Sequence, residues 1–121
     1  MIIGVGTDII EIERVKKAMQ NTAFLTKLFT QNEREYCKTK AETVAGLFAA
    51  KEAVSKALGT GFRNIKMKEV EITHTKIGQP IVNLYENAKK QADSLNIDNI
   101  NISISHCKTY AIAYVIVEKC D

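Results

Sequence analysis

A glutamate stands between two lysines in the alanine-rich stretch FAAKEAVSKALGTG, which runs from Phe48 to Gly61. The three charged residues are Lys51, Glu52 and Lys56. Carboxylates are ligands for Mg²⁺, and lysine ammonium groups bind phosphates. One interpretation is therefore a metal-binding carboxylate beside two phosphate contacts. The alternative is a surface ion pair between Glu52 and Lys56, four residues apart, with Lys51 extending its ammonium group into solvent.

The stretch belongs to a predicted helix from about Glu42 to Leu58. At roughly 100° per residue, Lys51 lies at the edge of the apolar stripe, whereas Glu52 and Lys56 share another face. Alanines cover most of the remainder, so the helix has no ordinary solvated face, and we expect its polar residues to meet a ligand, a neighbouring subunit or each other. The segment Gly59-Thr60-Gly61 follows the helix, where the partial charge is negative, and is a stop signal instead of a phosphate loop.

Asp8 is a second candidate carboxylate. The run Ile2-Ile3-Gly4-Val5-Gly6 predicts a strand with close backbone packing, and residues 9–19 predict a helix, so Thr7-Asp8 should stand where strand passes into helix. Asp8 is then either a helix cap or a metal ligand. Magnesium sites typically combine one or two carboxylates with phosphate oxygens and water, and Asp8 with Glu52 would be such a pair.

Other candidate side chains have simple structural interpretations. His106 is expected at a hairpin turn, where a histidine is by default solvated or hydrogen-bonded, and the same default applies to His74 in a polar strand. Arg14 precedes Lys16 and Lys17 on the first predicted helix. These cations form either a solvated basic face or a docking patch for an acidic partner.

The elements that must position these residues follow from further patterns. Thr30 and Glu33 have capping-box spacing and open a short helix that ends at about Lys38. The later segments predict a half-exposed strand at Val70–Thr73, a turn at Gly78-Gln79-Pro80, a helix carrying Leu84, Ala88, Ala92 and Leu95, and a hairpin of Ile100–Ser105 with Tyr110–Val117. Strands at both ends with helices between them predict an α+β fold on an antiparallel sheet.

The composition is that of a globular protein, with 121 residues, 45% hydrophobic and 26% charged. We predict a single domain, residues 1–121, in the cytoplasm, because no secretory signal or membrane-length apolar run is present. The net charge of +3 is too small to indicate nucleic-acid binding. Three scattered cysteines, Cys37, Cys107 and Cys120, suggest neither a disulfide framework nor a zinc site.

Three segments together resemble the holo-[acyl-carrier-protein] synthases, the short, single-domain 4′-phosphopantetheinyl transferases: GVGTDIIEIERV, AGLFAAKEAVSKALGTG and SISHCKTYAIAYVIVE. The resemblance covers nearly the whole chain in the expected order. It implies transfer of the 4′-phosphopantetheine arm of coenzyme A to a serine of apo-acyl carrier protein, releasing adenosine 3′,5′-bisphosphate, in fatty acid biosynthesis. It also implies a homotrimer whose active sites lie between subunits.

The resemblance assigns roles to individual residues. It implies that Asp8 and Glu52 bind Mg²⁺ together with the pyrophosphate of coenzyme A, and that Lys56 contacts phosphate, so that these three form the catalytic set. Gly59 and His106 are implied at the coenzyme A site, and Arg14 in docking the acidic carrier protein. The base for the serine proton is either Glu52 or a magnesium-bound water held by Asp8.

The chain departs from the family pattern at two positions. Leu47 stands where many relatives have an arginine, and Cys107 replaces a common threonine. Two other functions compete with the transferase: a non-enzymatic module that binds an acidic protein through Arg14, Lys16 and Lys17, and another magnesium-dependent nucleotide enzyme. The latter is disfavoured because the chain lacks a P-loop and a complete dinucleotide fingerprint.

Overall fold

The computed structural model describes residues 1–120, and Asp121 of the predicted domain 1–121 lies outside them. The described strands are β1 (Ile2–Glu11), β2 (Val70–His74), β3 (Pro80–Leu84), β4 (Asn99–His106) and β5 (Tyr110–Glu118). The described helices are α1 (Ile12–Ala18), α2 (Thr22–Leu28), α3 (Gln31–Cys37), α4 (Ala41–Ala57) and α5 (Glu86–Ser94). A 3₁₀ turn, Met67–Glu69, precedes β2.

The strands form two antiparallel groups. The larger is a three-stranded sheet in the order β1-β5-β4, and the smaller is the β2–β3 hairpin. The predicted α+β class and the predicted terminal hairpin are both confirmed. His106 is the last residue of β4, so the hairpin turn consists of Cys107, Lys108 and Thr109.

The first strand is longer than predicted. β1 continues to Glu11, and it pairs with β5 as far as Glu11 opposite Tyr110. Asp8 lies inside this strand opposite Ala113, so of its two interpretations the helix cap is wrong. The backbone pairing offered by β5 keeps the chain extended, and α1 begins at Ile12 with Glu11 as its N-cap.

Helix α4 lies directly on the three-stranded sheet. A Cβ atom built on Gly4 or Gly6 would collide with the carbonyl oxygens of Ala57 and Ala53, respectively, so only glycine permits this approach. The predicted close packing at Gly4 and Gly6 is confirmed. Lys56 is the one exposed residue of α4, which confirms that this helix has no solvated face. The three-stranded sheet of the same chain covers much of α4, which accounts for much of the burial of this helix.

The remaining sequence predictions have mixed outcomes. The capping box is confirmed, since Glu33 N donates to Thr30 Oγ1 (3.2 Å) and Thr30 N donates to Glu33 Oε1 (2.9 Å). The helix stop is confirmed as well, because Gly59 follows the Leu58 cap with φ of 84°. The prediction of a half-exposed β2 is wrong, since its first three residues are all buried. No helix among residues 1–120 has the length and apolar character needed to cross a bilayer.

Candidate active site

Strand β1 and helix α4 bring Asp8, Glu52 and Lys56 to one place, which we call the Asp8–Glu52–Lys56 cluster. Lys56 Nζ lies 3.1 Å from Asp8 Oδ1 and donates to the carbonyl oxygen of Thr7 at 3.0 Å. The Asp8 side chain is 17% exposed, whereas that of Lys56 is 51% exposed. The ion pair of Lys56 is therefore with Asp8 and not with Glu52, contrary to the surface-pair interpretation.

Glu52 is half-buried beside this ion pair. Burial raises its pKa, the nearby charge of Asp8 raises it further, and Lys56 acts in the opposite direction. Two carboxylates that repel one another suit a shared cation. Within residues 1–120 no group of three or more histidine, cysteine or acidic side chains is placed to hold a metal. Two carboxylates form a donor set that would fit Mg²⁺ if phosphate oxygens and water completed its coordination.

Lys51 lies away from this cluster, and its ammonium group is fully buried. Lys51 Nζ is 2.7 Å from Glu33 Oε1 and donates to the carbonyl oxygens of Met67 (2.8 Å) and Val70 (2.6 Å). An ammonium group has three protons, so these partners account for all of them. Burial lowers the pKa of Lys51, and Glu33 opposes that effect. Both sequence interpretations of Lys51, as a phosphate contact and as a solvent-exposed side chain, are wrong.

His106 contributes to a different place, a cleft of about 230 Å³ between the first half of α4, the end of β4 and the β2–β3 hairpin. We call it the His74–His106 cleft, and Leu47 and Pro80 also line it. His74 stacks on Tyr36 with ring centroids 3.9 Å apart and planes 5° from parallel. Its Nδ1 atom is buried without a partner, and burial lowers its pKa. Sequence reasoning treated His74 as structural, because no motif connects it with His106.

The cluster and the cleft lie on different sides of α4. With Gly46 as zero and about 100° per residue, the cleft residues of α4 fall between about −40° and +100°, whereas Glu52 and Lys56 fall near 240° and 280°. Asp8 and His106 also stand on β1 and β4, with β5 between them. Within one chain, therefore, His106 does not join the Asp8–Glu52–Lys56 cluster.

The last two predicted site residues are both exposed. Gly59 follows α4 one turn beyond Lys56, and a Cβ atom built on it would meet nothing within 4 Å. Arg14 is exposed on α1 and borders an apolar pocket that includes Phe24 and Phe48. A neighbouring pocket beside Phe24 is lined by Lys17 and Lys27. The structure thus surrounds an apolar surface with cations.

Residues 4–115 match the family model described as the 4′-phosphopantetheinyl transferase superfamily. The chain belongs to this superfamily. Among curated members, it is similar to the holo-[acyl-carrier-protein] synthase of Clostridium botulinum strain Eklund 17B, with 53% identity over 124 residues and 98% of each chain covered. The resemblance drawn from the three sequence segments is therefore confirmed.

Two solved structures of the superfamily are similar to this fold. One is Helicobacter pylori holo-[acyl-carrier-protein] synthase in complex with coenzyme A, with a TM-score of 0.85, 34% identity, and coverage of 94% of this chain and 99% of that chain. The other is the holo-(acyl-carrier-protein) synthase of Bacillus anthracis in complex with CoA (3′,5′-ADP). Its TM-score is 0.83 at 36% identity, with 99% of each chain covered.

Proposed function

We propose that this chain transfers the 4′-phosphopantetheine moiety of coenzyme A to a serine of apo-acyl carrier protein, giving holo-acyl carrier protein and adenosine 3′,5′-bisphosphate. The observation that carries this function is the Asp8–Glu52–Lys56 cluster in a chain that matches holo-[acyl-carrier-protein] synthases along nearly its full length. The cluster supplies what transfer from a pyrophosphate requires, namely ligands for a cation and a contact for phosphate. A cytoplasmic location stays a prediction.

Lys56 is suited to bind the pyrophosphate. Two of its three protons are used by Asp8 and the carbonyl of Thr7, so one remains for a phosphate oxygen. Because half of the side chain is exposed, substrate can reach it. Asp8 orients the ammonium group, and the ammonium charge offsets the negative charge that develops on the leaving bisphosphate.

Asp8 and Glu52 are the residues that would hold Mg²⁺. Bound there, the ion would neutralise charge on the pyrophosphate and stabilise the leaving group. The serine oxygen attacks the phosphorus directly, without a covalent enzyme intermediate, and its proton passes to Glu52 or to a water held by Asp8.

A homotrimer would bring the two halves of the site together. The sheet face that points away from α4 exposes apolar side chains on adjacent strands, including Val5, Ile9, Ile112 and Tyr114. Exposed apolar surface of this kind is typical of an interface between subunits. In a closed ring, the His74–His106 cleft of one subunit can face the Asp8–Glu52–Lys56 cluster of its neighbour, so that coenzyme A spans both.

The carrier protein would dock beside α1. Arg14, Lys17 and Lys27 line two adjacent pockets that share Phe24. Cations around an apolar surface complement an acidic helix that carries an apolar side chain, and their charge favours fast association. The partner is therefore an acidic carrier protein that brings its serine toward Lys56.

Intact-mass analysis of apo-acyl carrier protein tests the function directly. After incubation with this chain, coenzyme A and Mg²⁺, we expect the mass to increase by one phosphopantetheine group, and a chelator should prevent the increase. Lys56→Met should lose at least about 100-fold in rate, as when one charge-stabilising group is removed. Lys68→Met, a change at an exposed lysine outside the site, is the matched control. An unchanged carrier mass, with carrier binding indifferent to coenzyme A and Mg²⁺, would instead identify a non-enzymatic interaction module.

A further inference from the structure

The buried ion pair of Lys51 and Glu33 connects three elements. Glu33 Oε1 forms an ion pair with the ammonium group of Lys51 on α4 and accepts a hydrogen bond from the N–H of Thr30 at the start of α3. Glu33 Oε2 accepts the N–H of Ile72 in β2 at 2.8 Å. Both side chains are 0% exposed, and Lys51 Nζ also lies 5.2 Å from the centre of the Phe29 ring. A single buried pair thus joins α3, α4 and β2.

The contacts of Lys51 and Glu33 concentrate at the base of the β2–β3 hairpin. Lys51 donates to Met67 and Val70, which are the first residue of the 3₁₀ turn and the first residue of β2. The far end of the same hairpin carries His74 and Pro80, which form the wall of the His74–His106 cleft opposite α4. The open cleft lies between this wall and α4. The contacts of Lys51 therefore fix the hairpin to α4 at its base, while His74 at the far end stacks on Tyr36 of α3.

We propose that Lys51 is a positioning residue, whose buried contacts with Glu33, Met67 and Val70 hold the β2–β3 hairpin against α4 and thereby set the width of the His74–His106 cleft. This inference rests on the proposed function, in which the cleft binds coenzyme A. Lys51 has no proton free for substrate, so its effect on the reaction is transmitted through the hairpin.

The expected kinetic signature is a change in coenzyme A binding without a comparable change in chemistry. In the proposed function the hairpin wall contacts coenzyme A, whereas the Asp8–Glu52–Lys56 cluster stands on the other side of α4. Loosening the hairpin should raise the KM for coenzyme A about tenfold, which corresponds to a loss of about 1.4 kcal/mol of binding free energy. The kcat should stay within about threefold of the original value, because the reacting groups are unaffected.

The experiment compares four proteins: the original chain, Lys51→Met, the double variant Glu33→Gln/Lys51→Met, and Lys56→Met. The single Lys51 variant leaves Glu33 buried and unpaired and should lose more than about 10 °C in Tm. The double variant removes both charges and should recover part of that loss. Lys56→Met is the matched control on the same helix, and it should keep its Tm within about 3 °C while losing kcat.

The decisive readout is the folded double variant. A raised KM for coenzyme A with kcat preserved supports the positioning role. A KM equal to that of the original chain would show that the pair only stabilises the fold, and a kcat lowered about 100-fold with KM unchanged would place Lys51 in the chemical step. Either result overturns the inference.

Glu33→Gln alone provides a second, independent test of the inference. Glu33→Gln retains an oxygen for Lys51 but presents an N–H₂ group where Ile72 N–H needs an acceptor. We expect faster amide exchange in β2 and a raised KM for coenzyme A, and an original KM in this variant would overturn the inference. Absence of any transfer by the original chain would contradict the proposed function instead, so the two failures are distinguishable.

Discussion

The surroundings of Glu52 disfavour the ionised form of its side chain. Its carboxylate is half-buried and close to Asp8, and both effects raise its pKa, while Lys56 relieves them only in part. The sequence indicated Glu52 and Lys56 because they share one helix face. It could not indicate that Lys56 pairs with Asp8, which is 48 residues earlier in the chain. It separated Lys51 from Lys56 by helix angle, but it could not indicate the role of Lys51, because the partner of Lys51, Glu33, lies on a separate helix.

Replacing Glu52 should increase stability while it removes function. A group with a raised pKa contributes stability that is present below its ordinary pKa and is lost as pH rises through the folded-state pKa. Above the folded-state pKa this contribution is absent, and an ionised Glu52 repels Asp8. We therefore expect Glu52→Gln to have a higher Tm than the original chain when both are measured in a chelator at a pH above the folded-state pKa of Glu52.

Addition of Mg²⁺ should reverse this difference, so that the original chain has a higher Tm than Glu52→Gln. If Asp8 and Glu52 hold the ion, Mg²⁺ should raise the Tm of the original chain with increasing concentration, whereas Glu52→Gln should show little increase and no transferase activity. Thermal scans with and without Mg²⁺ measure both effects, and Glu35→Gln, a change at an exposed glutamate, is the control. An equal Mg²⁺ response in Glu52→Gln would exclude this residue as a ligand.

At the scale of elements, local patterns predicted most of the fold, and non-local pairing accounts for the errors. The capping box at Thr30 and the alternating isoleucines of β4 can each be recognised from neighbouring residues alone, and both predictions are confirmed. The end of β1 cannot be predicted from local sequence, because Thr7-Asp8 also has the composition of a helix start. Only the presence of β5 alongside keeps these residues extended, and that partner begins more than 100 residues later.

The approach of α4 to β1 is the structural basis of the Asp8–Glu52–Lys56 cluster. In Gly6→Ala the new Cβ would overlap the carbonyl oxygen of Ala53 and push α4 away from β1. We expect the free energy of unfolding to fall by about 1–3 kcal/mol, the usual cost of overpacking a well-packed interior. Because Glu52 neighbours Ala53, the apparent affinity for Mg²⁺ should fall as well.

Denaturant unfolding and Mg²⁺ titration of Gly6→Ala test this prediction. Gly46→Ala is the matched control on the same helix, since its Cβ would meet only Ile104 Cγ2, at 3.0 Å, which is a side-chain atom that can move. We expect the smaller loss of stability in Gly46→Ala. A midpoint of unfolding in Gly6→Ala equal to that of the original chain would contradict the role of this close approach.

At the scale of the whole molecule, the Asp8–Glu52–Lys56 cluster and the His74–His106 cleft of one chain lie on different sides of α4. In the proposed function, the cluster binds a cation and pyrophosphate, and the cleft binds another part of coenzyme A. The exposed apolar sheet face supplies a surface by which copies can associate. A trimer would have three times the chain mass of 13.5 kDa in light scattering. Ile112→Asp, at the centre of that face, should release monomers.

Mixing two inactive variants distinguishes a shared site from a site within one subunit. Lys56→Met lacks the proposed phosphate contact and His106→Ala lacks the cleft histidine, so in the proposed trimer each variant has a defect in every site. If each site combines Lys56 of one subunit with His106 of the next, random mixing restores about a quarter of the interfaces, namely those where both contributed residues are intact. Co-refolded mixtures, assayed at coenzyme A concentrations below KM, should therefore regain activity, whereas the same proteins mixed without subunit exchange should not. A mixture that stays inactive after proven exchange would mean that both residues serve one subunit's site, and it would contradict the interfacial arrangement.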